Sequence, residues 1–141
     1  MQKELGPPPK ASSTAISRSM KSNRGKNTLP EVMLRTALSK AGIKGYRLHL
    51  KDVPGRPDIA FPKSRLAVFV NGCFWHRCPK CALPMPKSHT AFWSRKFELN
   101  KQRDERKTRG LKSMGWRVMT IWECEIRGNL GDCVKRVKRA L

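Results

Sequence analysis

Three cysteines and a histidine fall within nine consecutive positions, Cys73-x4-Cys78-x2-Cys81 with His76 among them, and a fourth cysteine, Cys124, follows after 42 intervening residues. Thiolates at this spacing are zinc ligands: Cys78 and Cys81 form the usual short pair, and a remote fourth ligand is ordinary when a neighbouring strand supplies it. Four thiolates would close a tetrahedral, structural site. Cys73-x2-His76 is also a ligand spacing, so His76 could replace one thiolate. With four cysteines available, however, the imidazole is left for other work, and its ordinary pKa of about 6.5 suits a general base for water. Small buried hydrophobes are the alternative for any single cysteine; Cys133, in the last predicted helix, is read that way.

Asp58 follows the turn Pro54-Gly55-Arg56-Pro57 at the start of a short strand. A carboxylate there suits the first ligand of a nuclease metal site, because Mg²⁺ wants hard oxygens and keeps several waters. Bonding to its own backbone is the plainer role for an Asp at a turn. Glu31 is explained by a capping box with Thr28. Phe74, Trp75 and Trp93 are candidates for core packing or, in a basic protein, for wedges that unstack bases. His49 and His89 are expected at the surface.

These residues need a scaffold, and the hydrophobic pattern supplies one. Thr28-Leu29-Pro30-Glu31 opens a helix with Leu29, Val32, Met33, Ala37, Leu38 and Ala41 at helical spacing, stopped by Gly42. Tyr46, Leu48 and Leu50 alternate with Arg47, His49 and Lys51, as in a half-buried strand. Asp58 to Phe61 is a second strand. Leu66 to Val70 is apolar throughout, which suits a central strand covered on both faces. Residues from about 90 to 114 read as a long helix with Trp93, Phe97, Leu111 and Met114 towards a core. Its polar middle, Asn100 to Arg109, is either a solvated face or a projection towards a charged ligand. A strand over Trp116–Trp122, ending beside Cys124, and a helix with Leu130, Val134, Val137 and Leu141 complete the order α-β-β-β-α-β-α. The expected class is α/β, a mixed central sheet flanked by helices.

The chain has 141 residues, enough for one core, and a formal net charge of +21 from 31 Lys and Arg against 10 Asp and Glu. Such an excess selects a polyanionic partner, with nucleic acid first. No segment approaches the roughly 20 apolar residues of a spanning helix, and the start lacks the apolar core of a secretory signal; the expectation is an intracellular protein without a membrane partner. Clustered cysteines in a reducing compartment favour metal over disulfides. Residues 1–27, with Pro7-Pro8-Pro9 and scattered basic residues, read as a flexible basic arm, and 28–141 as the folded domain.

Taken together, Gly55-Arg56-Pro57-Asp58, Gly72-Cys73-Phe74-Trp75-His76, Phe92-Trp93, Asn100 with Arg103-Asp104, and Gly115-Trp116-Arg117-Val118 leading to Trp122-Glu123-Cys124 resemble the very-short-patch repair mismatch endonucleases over about residues 18–127. The resemblance implies a restriction-endonuclease-like fold, a structural zinc, and Mg²⁺-dependent nicking of double-stranded DNA 5′ to the T of a T:G mismatch, the product of 5-methylcytosine deamination. It implies that Asp58 and the Val70 carbonyl bind Mg²⁺, that Glu31 supports that site through water, and that His76 activates water. Cys73, Cys78, Cys81 and Cys124 become the zinc ligands, and Phe74, Trp75 and Trp93 the wedge. Lys96 and Asn100 would read the mismatched pair, with Met20 reaching in from the arm. A bacterial, nucleoid-associated monomer is implied, with DNA or a mismatch-repair protein as partner of the arm. Position 71 is Asn where the best-known members carry a second catalytic histidine; Asn can hydrogen-bond a phosphate or water but cannot shuttle a proton, so His76 would act alone.

Two other readings compete. A zinc-dependent nucleic-acid-binding module without catalysis needs only the charge and the cysteines. A restriction enzyme cutting intact sites would carry Glu-x-Lys or Asp-x-Lys on the strand after Asp58, where Phe69-Val70-Asn71 stands.

Overall fold

A computed structural model describes residues 27–141. Helix α1 (Leu29–Lys40) leads to strands β1 (Arg47–Leu48), β2 (Ile59–Phe61) and β3 (Leu66–Asn71). Helix α2 (Thr90–Ser113) then crosses over to β4 (Arg117–Trp122), which runs into the short α3 (Glu123–Gly128) and the terminal α4 (Leu130–Ala140). The sheet order is β1-β2-β3-β4, with the first two pairings antiparallel and β3–β4 parallel. This is the expected mixed sheet with helices, plus one helix, α3, that the pattern did not separate from β4.

β3 is central and covered on both faces, as its unbroken apolar run requires. Leu66 and Val68 point into a cluster with Leu34, Leu38, Ile59, Ile121, Ile126, Cys133 and Val137, contributed by α1, β2, β4, α3 and α4. Ala67 and Phe69 point the other way, to Val53 and Leu111, with Leu50, Trp116 and Val118 beside them. A third cluster, Phe74, Trp75, Trp93 and Phe97, sits beyond the C-terminal end of β3. Cys133 is buried in the first cluster, as a packing residue should be.

Several expectations shift. The buried stripe of α1 is Glu31, Leu34 and Leu38, whereas Leu29 is exposed. Met114 lies outside the core, past the end of α2. Thr28 makes no side-chain cap; the Glu31 carboxylate accepts the Asn27 N–H at 3.1 Å, one residue before the position a capping box uses. The first strand is only two residues long because His49 takes φ +50° and turns the chain. Tyr46 therefore packs with the first cluster and Leu50 with the second. Met20 and the rest of the proposed arm up to residue 26 lie outside the described residues.

The turn before Asp58 is locked onto α2. Gly55 has φ +81°, and a Cβ there would come within 2.7 Å of the Lys107 side chain. Glycine satisfies both demands at once, and the close approach brings α2 against the strand that carries Asp58.

Candidate active site and thiolate centre

Two ligand clusters flank the C-terminal half of β3. The first is Cys73, Cys78, Cys81 and Cys124, whose sulfurs all lie within 4.8 Å of one another. The Cys78 and Cys124 Sγ atoms are 3.8 Å apart, and ligands at about 2.3 Å from a tetrahedral zinc stand at about that separation. Backbone geometry is already set for it: the Cys124 N–H donates to Cys73 Sγ at 3.4 Å, and the Cys78 N–H to the Cys73 carbonyl at 3.0 Å. Cys124 belongs to the first turn of α3 and not to a strand end. Burial pushes the Cys73 thiol up and Cys124 up to about 11. For Cys78, burial is outweighed by the Cys81 and Lys80 N–H groups, and the thiol is pulled down. Cys73 and Cys124 thus resist ionising, and a divalent cation among the sulfurs removes that resistance. The donor set fits a closed metal site.

The second cluster is Glu31, His49 and Asp58, again with ligand atoms within 4.8 Å of one another. Glu31 is 1% exposed; its Oε1 pairs with His49 Nε2, and Arg35 Nη1 stands 3.7 Å from the same oxygen. His49 was expected at the surface and is instead turned against Glu31 by its left-handed backbone, a conformation costing a non-glycine residue about 1 kcal/mol. Strict alternation along a longer strand would have left it outside. Asp58 Oδ2 accepts the Val70 N–H at 2.7 Å, which ties the carboxylate to β3. Burial raises the Asp58 carboxyl to about 7; Glu31 adds to the rise, and the Val70 N–H and Lys107 oppose it. A carboxyl poised near neutrality beside a second carboxylate makes this recess a candidate functional site, and two carboxylate oxygens close to one another fit a hard divalent ion.

Between the clusters lies the loop after β3. Asn71 ends the strand opposite Trp122. His76 is pinned by its own N–H to the Gly72 carbonyl at 3.2 Å, and its Nδ1 meets Asp104 Oδ2 at 2.6 Å. Nε2 is thereby the nitrogen left to face a reactant. Asp104 had no assigned role in the sequence reading, yet the signal existed. Trp93, Lys96, Phe97, Asn100, Asp104, Lys107 and Leu111 recur every three or four residues along α2, one stripe that is apolar at its ends and polar in the middle. The polar middle is therefore not merely solvated: it delivers Asp104 to His76 and Lys107 towards Asp58, whose charge opposes the burial that lowers the Lys107 amine.

The aromatics form one packed set. Phe74 meets Trp75, Trp93 and Phe97 edge to face at 5.4–5.5 Å. Lys96 Nζ lies 5.7 Å from the Trp75 ring centre, and Asn100 Nδ2 donates to the Trp75 carbonyl at 3.1 Å. Arg77 stacks on Phe97 at 4.4 Å. All five residues assigned to DNA within the described chain thus sit together, with Phe74, Trp75 and Trp93 buried against one another.

Comparison with known proteins gives this arrangement a family. Residues 11–82 match the family described as DNA mismatch endonuclease Vsr. Over 122 residues the chain is 45% identical to the type II nicking enzyme V.XorIIP of Xanthomonas oryzae pv. oryzae, covering 86% of this chain and 88% of that one. It is 42% identical over 125 residues to the type II nicking enzyme V.NaeI of Lentzea aerocolonigenes, covering 86% and 73%. It is 35% identical over 112 residues to the DNA mismatch endonuclease Vsr of Escherichia coli K12, covering 79% and 71%. A recess of carboxylates, a histidine braced by an aspartate and a thiolate-pinned loop thus stand in a chain that belongs to the Vsr family of DNA mismatch endonucleases.

Proposed function

We propose that this chain is a divalent-metal-dependent DNA endonuclease that nicks duplex DNA 5′ to the T of a T:G mismatch. The observation that carries the reading is the pairing of two elements on one strand: Asp58 fastened to Val70, and His76 braced by Asp104 a few residues further on. Family membership and the charge of +21 supply the substrate class.

On this reading, Asp58 and the Val70 carbonyl hold Mg²⁺, and Glu31 supports it through water. An ion bound there would supply positive charge to the phosphate of the transition state. His76 Nε2 takes the proton of the attacking water, while Asp104 holds the ring through Nδ1 and stabilises the imidazolium that forms. Asn71 hydrogen-bonds phosphate or water without moving a proton. The four cysteines hold structural zinc, which fixes the loop carrying His76. Phe74, Trp75 and Trp93 enter the base stack beside the mismatch, and Lys96 and Asn100 read the pair, with Met20 from the arm. Opening the aromatic cluster gives up edge-to-face contacts of about 0.5–1.5 kcal/mol each, which stacking on bases at about 1–3 kcal/mol per base can replace. A weakly paired T:G step lowers the unstacking cost further. The protein then works as a monomer on DNA in the bacterial cytoplasm.

The test incubates the chain with T:G and T:A duplexes in Mg²⁺, beside Asp58→Ala. Nicking confined to T:G and to wild type is the expected result. Equal cutting of both duplexes removes the mismatch reading, and nicking by Asp58→Ala removes the site. Salt-sensitive binding with no cleavage, and indifference to His76→Ala, would instead identify a zinc-dependent binding module.

A further inference from the structure

We propose that His49 is a direct ligand of the divalent ion at the carboxylate recess, so that this site prefers Mn²⁺ to Mg²⁺. The inference rests on the nuclease reading of Asp58 and adds a ligand to it. Glu31, His49 and Asp58 each present one ligand atom, all within 4.8 Å of one another. Second contacts fix which atoms face the common space. Glu31 Oε2 is engaged by the Asn27 N–H, which leaves Oε1 turned to His49 Nε2. Asp58 Oδ2 is engaged by the Val70 N–H, which leaves Oδ1. The His49 backbone N–H is bonded to the Asp58 carbonyl at 3.2 Å, so the two residues are held side by side.

The position of His49 is also unexpected for a mere surface residue. Its backbone leaves the strand at φ +50°, and that turn brings the imidazole, 20% exposed, onto a carboxylate that is 2% exposed. The imidazole nitrogen thereby shares one space with the carboxylate oxygens of Glu31 and Asp58. Mg²⁺ takes oxygen ligands almost exclusively, whereas an imidazole nitrogen beside two carboxylates suits a first-row transition ion, Mn²⁺ being the member that also accepts carboxylates readily.

The experiment uses the full chain with zinc in the thiolate site and adds Mn²⁺ alone as the probe. Electron spin echo modulation of the bound Mn²⁺ detects a nitrogen ligand directly, independent of activity. Wild type and His76→Ala should both show the ¹⁴N coupling, and His49→Gln should lose it. His49→Gln should also weaken Mn²⁺ by about 10-fold or more, in the range seen when a ligand's support is removed, while Mg²⁺ affinity changes by less than about 3-fold. Coupling that persists in His49→Gln, or is missing from wild type whose Mn²⁺ binding still depends on Asp58, overturns the ligation by His49 alone. Mn²⁺ binding that is absent, or unchanged in Asp58→Ala, overturns both this inference and the nuclease site beneath it.

Discussion

The thiolate centre and the carboxylate recess lie on either side of one strand end, yet they are built on opposite principles. The thiolate centre is soft and self-contained: four sulfurs, two of them on buried cysteines, braced by the Cys124 N–H on Cys73 Sγ. The recess is hard and incomplete: two carboxylates and an imidazole with Asp58 held in an uncomfortable, near-neutral state. The first is a donor set for a soft ion, the second a donor set for a hard one. On the proposed reading, stability and function are thereby separated, with β3 as their common support.

Breaking the thiolate centre should have the largest effect. Structural zinc in small domains contributes about 10–16 kcal/mol of apparent binding energy, as much as the whole stability of a typical domain at about 5–15 kcal/mol. Cys78→Ser, or a strong chelator, should unfold the domain, read as loss of the cooperative melting transition by circular dichroism. A chelated protein that melts unchanged would leave the sulfurs without a structural ion.

Breaking the recess should do the reverse. Asp58→Ala should lower nicking by about 1,000-fold or more, the scale of losing a metal-held electrostatic contribution, while the melting temperature holds or rises. Parallel losses of activity and stability would dissolve the contrast between the two regions.

The histidine between them tests the mechanism. His76→Ala should slow single-turnover nicking by about 100- to 10,000-fold, the range for a general base. Asp104→Asn should slow it less, by about 10- to 100-fold, without weakening DNA binding. Because both act through one imidazole, the double variant should be no worse than His76→Ala; additive losses would mean that Asp104 works elsewhere.

A smaller effect concerns pH. Asp58 titrates near 7 in the folded chain and near 3.8 unfolded. Between these values the folded state holds the extra proton, so the ion-free recess is most favourable below pH 3.8 and destabilises the fold progressively as pH rises to about 7. Urea titrations from pH 5 to 8 without divalent ion should show this slope, and Asp58→Asn should flatten it. Mn²⁺ or Mg²⁺ affinity should rise over the same interval, since proton and ion compete for one carboxylate.

Cys133 gives the smallest effect and the control for the largest. It is buried in α4 and outside the sulfur cluster, so Cys133→Ala should cost about 1 kcal/mol from lost packing and leave the zinc content, by atomic absorption, unchanged.

Much of this was legible residue by residue. The apolar run from Leu66 to Val70 reads as a strand buried on both faces, and it is. The cysteine spacing reads as a metal centre, and the four sulfurs converge. What escaped was whatever depends on where a strand stops and which helix face turns inward. His49 looked exposed because alternation was extended past Leu48, where the backbone in fact reverses hand. Glu31 looked like a cap because the Thr-x-x-Glu spacing explains it locally; its partners are Asn27 and His49 instead. Asp104 and Lys107 follow a helical stripe that the sequence carries, but their partners, His76 and the turn at Gly55, emerge only once α2 is packed.

The sequence by itself determined the ligand inventory, the sheet's central strand and the polyanionic partner, because side-chain chemistry, apolar periodicity and net charge are additive properties of the chain. Only the tertiary structure decided which groups meet. A contact between Glu31 and His49, or between His76 and Asp104, joins residues 18 and 28 positions apart. Such meetings are set by the packing of α1 and α2 on the sheet, which depends on many small burial energies at once and on no single motif.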